Sequence, residues 1–138
     1  MIQVQADNSG GVIKITFSEK VTAQEAEEWV KKTYALLEDM PPGFRLLADL
    51  SGLQSMDLAC APFIAKVMDR CNDRGIKKVI RVIPDKRKDI GLSIMSVFHY
   101  DRHVRIVTCD TLAEAEEAMG LDAPGGMAVD VAEDSGPK

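Results

Sequence analysis

The sequence is poor in the residues that build the commonest functional centres. It has three cysteines and two histidines in 138 residues. Cys60, Cys71 and Cys109 are odd in number and widely spaced, without a CxxC pair or a histidine at metal-ligand spacing. A disulfide framework and a zinc site are therefore unsupported, and reduced thiols are expected. Neither GxxxxGK nor GxGxxG occurs, and Gly10-Gly11 precedes a strand pattern instead of joining a strand to a helix, so the familiar phosphate-cradling loops are missing. There is no Gly-x-Ser-x-Gly elbow for a nucleophilic serine. Apolar runs last only a few residues, against the roughly 20 that a membrane helix needs. Met1–Asp7 has neither the basic start nor the apolar core of a signal peptide, and a cytoplasmic location away from membranes is the expectation. No internal repeat is visible.

What is present describes an ordinary globule. Hydrophobic residues make up 46% and charged residues 28%, over a length that suits one domain. The net charge of −5 argues against a general affinity for nucleic acid, but it is unevenly spread. Residues 1–69 carry 6 basic and 10 acidic groups, residues 70–105 carry 10 and 4, and residues 110–138 carry 1 and 8. Arg70, Arg74, Lys77 and Lys78 read as solvating a helix end and Lys86, Arg87 and Lys88 a loop, with a surface for an acidic partner as the alternative.

Strand and helix signals alternate. Val12–Phe17 is β-branched and aromatic after a glycine turn, and Ile2–Val4 can pair with it as a hairpin. Thr22 and Glu25 have capping-box spacing ahead of Ala26, Trp29, Val30, Thr33 and Leu37, which form one apolar stripe on a helix ending near Met40, before Pro41-Pro42-Gly43. Phe44–Leu50 reads as a central strand bounded by Ser51-Gly52. Asp57–Arg74 reads as a helix with Phe63 or Ile64, Val67, Met68 and Cys71 on one face. Strands at 79–83 and 104–108 and helices at 88–100 and 111–119 follow, the last opened by a second capping box at Thr111 and Glu114. The expected fold is α/β: a single domain over residues 1–119, with a mixed, mostly parallel four- to five-stranded sheet and about four helices. Residues 120–138, acidic and rich in glycine and proline, are expected to form a flexible tail.

Candidate chemistry is sparse. Cys60 near a helix start could pair with His99 or His103, although Leu58-Ala59-Cys60-Ala61 looks like helix packing. His99 and His103 lie four apart, but the helix is expected to end near Tyr100 and leave them to loop hydrogen bonding. On helix 88–100, Leu92 and Met95 point away from the Ile90, Ile94, Val97 and Phe98 stripe; Leu92, Met95 and Phe98 are a candidate ligand or dimer face. No complete set of nucleophile, base and orienting group can be assembled, and a non-enzymatic protein without cofactor or metal is expected.

Leu46-Leu47-Ala48-Asp49-Leu50-Ser51-Gly52-Leu53-Gln54-Ser55-Met56-Asp57 before a helix, then Gly75–Val82, resembles the STAS domain of anti-sigma factor antagonists. The resemblance implies a small protein-binding module in which a Met-Asp-Ser-Ser-Gly segment opens the second helix and a partner kinase phosphorylates the second serine. Setting Met56-Asp57 on that segment places Leu58 and Ala59 at the two serines and Cys60 at the glycine. The hydroxyl that carries phosphate in the family is absent at Ala59, while Asp57 is left as a helix cap. The resemblance therefore implies a permanently available partner surface at Ser55, Met56, Asp57, Leu58 and Ala59 with Pro84 and Asp85. Nothing in their spacing marks Ser51 or Ser55 as a substitute phosphosite. The expected partner is a protein, either an anti-sigma-type kinase or a signalling assembly. A small-molecule or lipid-binding domain is the alternative, and homodimerisation through helix 88–100 or an edge strand stays open.

Overall fold

A computed structural model describes residues 1–83 and 104–120. Strands β1 (Ile2–Asp7) and β2 (Val12–Val21) form an antiparallel hairpin in unbroken register, from Ile2 opposite Phe17 to Asp7 opposite Val12. Its turn is held by Asp7, whose Oδ1 accepts the Gly10 amide at 3.0 Å and the Ser9 hydroxyl at 2.9 Å. These bonds, the Gly10 amide foremost, hold the Asp7 carboxyl below its ordinary range.

Helix α1 (Ala23–Glu38) begins as the capping box predicts, with the Glu25 amide donating to Thr22 Oγ1 at 3.2 Å. The Glu25 carboxylate does something else: Oε2 accepts the Ile2 amide at 2.7 Å and ties β1 to the helix. The buried residues of α1 are Ala26, Trp29, Val30, Thr33 and Leu37, the stripe read from the spacing.

β3 (Arg45–Met56), β4 (Lys78–Val82) and β5 (Arg105–Cys109) complete a five-stranded sheet in the order β1-β2-β3-β4-β5. Every neighbouring pair after the hairpin is parallel. β3 does not stop at Ser51-Gly52. It continues to Met56 because β2 continues beside it, with register shifts between Thr16 and Ser18 and between Glu19 and Lys20 that absorb the irregular geometry. β4 follows β3 only as far as Val82 opposite Asp49, so the ends of β2 and β3 project beyond their neighbour.

The expected helix over 57–74 is divided into a 3-10 turn, Leu58–Cys60, and helix α2 (Ala61–Asp73), with Pro62 in its first turn. Gly75, at φ 88, closes α2 in a conformation that other residues adopt at a cost, and its amide donates to Asn72 O. Helix α3 (Leu112–Gly120) follows β5, and the Glu114 amide donates to Thr111 Oγ1 at 3.1 Å. The described residues thus contain three α-helices; the helix expected at 88–100 and the tail after Gly120 lie outside them. None of the three is long and apolar enough to cross a membrane.

Strand alternation divides the core. Leu46, Ala48, Leu50 and Val79 pack with α1 and α2 on one face of the sheet. Leu47, Ile80, Val82 and Cys109 pack with Ala115 of α3 on the other. Part of the basic stretch does more than solvate a surface. Arg74 donates to Leu37 O at 3.2 Å and Glu38 O at 2.9 Å, while buried Lys78 donates to Ala118 O at 3.3 Å. Neither α1 nor α3 has a basic residue in its own last turn, and these cations meet the negative ends of both helices from other elements.

Candidate functional site

The projecting ends of β2 and β3 deliver the chain into α2. Lys20 stands opposite Ser55 and Val21 opposite Met56; the Asp57 amide donates to Val21 O at 3.0 Å, and the Cys60 amide to Asp57 O at 2.9 Å. This tight turn presents its first two residues to solvent and its third to the core. Leu58 is 72% exposed and Ala59 is exposed, whereas Cys60 is fully buried. Burying a leucine side chain stabilises by about 1.5–3 kcal/mol, which Leu58 forgoes in the isolated chain.

Two of the candidate residues behave differently from expectation. Met56 is only 7% exposed and packs in the core, so it supplies no contact surface. The register shifts explain this: Leu50, Leu53 and Met56 are buried at intervals of three, where simple alternation would have turned residues in and out by twos. Asp57 occupies the cap position, but its carboxylate caps nothing. The Cys60 amide, the natural recipient of such a cap, is already bonded to the Asp57 carbonyl. Ser55 is half-buried and Asp57 exposed beside Leu58 and Ala59. Pro84, Asp85, Leu92, Met95 and Phe98 lie outside the described residues, as do His99 and His103.

The structure adds two residues to this end of the sheet. Asp49 is 6% exposed, and its Oδ1 accepts both the Ser51 hydroxyl at 2.6 Å and the Ser51 amide at 2.9 Å. An aspartate inside an apolar strand was the available sequence signal. Glu19, opposite Leu53, has φ 56, a left-handed conformation unfavourable for a residue with a Cβ. No sequence signal marks it, because the constraint comes from the bulged pairing with β3.

Cys60 is shielded from solvent. Its Sγ lies 3.7 Å from Val21 O, and burial, then the nearby Asp57 charge, push the thiol above its ordinary value. Among the described residues no three His, Cys, Asp or Glu side chains gather at metal-binding distances. Between α2 and the sheet, Ile15, Trp29, Ala48, Ile64, Met68 and Arg81 line a gap of about 20 Å³, the room of about one water.

No family profile and no curated protein matches the sequence. Solved structures do match the fold. The anti-sigma factor antagonist SpoIIAA in its unphosphorylated form superposes with a TM-score of 0.60 at 12% identity, over 85% of this chain and 94% of that one. The chain has a STAS fold. An uncharacterised Shewanella loihica protein with a SpoIIAA-like fold gives 0.62 at 13% identity, over 86% and 92%. A STAS-domain protein from Planctomyces limnophilus gives 0.57 at 17%, over 86% and 96%. These likenesses agree with the α/β architecture read from the sequence.

Proposed function

We propose that this STAS-fold chain is a non-enzymatic regulatory module that binds a protein through the entrance of α2, with Leu58 as its anchor. The observation that carries the reading is the exposure of Leu58, a large apolar side chain held outward on a short 3-10 turn and flanked by Ala59 and Asp57. SpoIIAA, of like fold, is an anti-sigma factor antagonist, and a signalling assembly or an anti-sigma-type kinase is the partner class that this reading takes from it. Ala59 has no hydroxyl, so this surface is not switched by phosphate at residue 59.

Capture from a lysate of the source organism tests the reading when three baits are compared quantitatively: wild type, Leu58→Asp, and Lys31→Glu on the exposed side of α1. Leu58→Asp should lose at least one partner about tenfold or more that the other two retain, since an aspartate cannot enter an apolar pocket without desolvation. Identical capture by all three baits would overturn it.

A further inference from the structure

β1 is the outer strand on one side of the sheet, and its hydrogen bonds divide by parity. Met1 O accepts the Ser18 amide at 2.8 Å, so antiparallel alternation commits Gln3, Gln5 and Asp7 to β2 as well. The even residues face outward, as Ile2 shows directly by donating to Glu25 on α1. Val4 and Ala6 thus present four backbone groups, two N–H and two C=O, for which the described residues supply no partner.

Exposed edges are normally guarded by charge, proline or a bulge. The segment Gln3–Ala6 has no charged residue and no proline, and its register with β2 is regular throughout. Glu25 blocks Ile2 alone. At the other side of the sheet, β5 opens on the exposed cation Arg105. Ile2, Val4 and Ala6 are only partly buried against the core, so apolar side chains border the open backbone.

We propose that Val4–Ala6 pairs antiparallel with the same segment of a second copy across a two-fold axis, joining two five-stranded sheets. One register uses all four groups and preserves the Ile2–Glu25 bond. It sets Val4 opposite Ala6 of the second copy, and Gln5 opposite Gln5 at the axis, a pair with no hydrogen bonds between its own backbones. A second copy fits better than a foreign strand because this register is self-complementary: Val4, Gln5 and Ala6 are neutral, Gln3 faces Asp7 of the second copy, and no like charges meet.

Sedimentation velocity of the full chain across the micromolar range tests this. Wild type should associate to a dimer, and Ala6→Pro, which removes an outward N–H and leaves the β1–β2 ladder alone, should weaken it about tenfold or more. Should Ala6→Pro fail to fold, Gln5→Lys at an exposed position replaces it, setting two ammonium groups face to face. Under mild oxidation Gln5→Cys should form an intermolecular disulfide and Gln3→Cys should not, the native thiols being buried. A monomeric wild type, a dimer indifferent to these variants, or equal cross-linking at positions 3 and 5 would overturn the proposal.

Discussion

Glu19 and Leu58 each forgo stability, the first in its backbone conformation and the second in unburied apolar surface, and both stand where the chain approaches α2. A left-handed residue with a side chain costs about 1–2 kcal/mol relative to a relaxed backbone, and glycine escapes most of that cost. Glu19→Gly should therefore stabilise the protein by about 1 kcal/mol in urea denaturation followed by Trp29 emission; a neutral or destabilising result would mean that the surrounding bulges relieve the strain. At this scale the sequence was partly legible. The absence of a hydroxyl at residue 59 needed only the sequence. The inward turn of Met56 did not show, because two register shifts replace the period-2 alternation on which its placement depended.

Elements were legible where their signals are local. Thr22 and Thr111 cap their helices as their spacing implied, and the Pro41-Pro42-Gly43 and Gly75 breaks fall where those residues compel them. The length of β3 was not, because Ser51-Gly52 is turn chemistry and only a partner strand across the gap overrides it. Long-range partners also decide α3, nine residues long with Ala115 as its one buried residue. Its last carbonyls are held by Arg45, whose Nη1 donates to Met119 O at 3.0 Å, and by Lys78. A hydrogen bond to a charged group is typically worth about 1.5–3 kcal/mol. Arg45→Met should lower the opening free energy of α3 by about 2 kcal/mol, read as faster amide exchange over 112–120 with α1 unchanged. Uniform acceleration in both helices would instead show that Arg45 supports the whole fold.

At the scale of the molecule, alternating strands and helices made a mostly parallel sheet legible, since a parallel connection needs a crossover and the connecting segments have helical period. The site's position was legible only through family resemblance; composition and spacing alone contain no mark of an exposed leucine at a strand-to-helix turn. The division of the core into two faces has a consequence for alkaline stability. Cys71 lies wholly in the α1–α2 face, and burial pushes its thiol from the ordinary 9.0 to about 12; burial also raises Cys60 and, on the α3 face, Cys109. Above pH 9 the unfolded chain releases thiol protons that the folded chain retains, so the unfolded state is favoured as pH rises, and the stability from keeping Cys71 neutral disappears progressively toward pH 12. Each fully linked thiol contributes a slope of about 1.4 kcal/mol per pH unit. Cys71→Ala removes one such group, so its stability deficit against wild type should be constant at neutral pH and shrink by about 2 kcal/mol between roughly pH 8 and pH 10.5. Denaturant titrations at both pH values, read from Trp29 against Phe17 in the same core, measure that difference directly. A deficit independent of pH would mean that the Cys71 thiol ionises in the folded chain as freely as in water, and that this face of the sheet admits solvent.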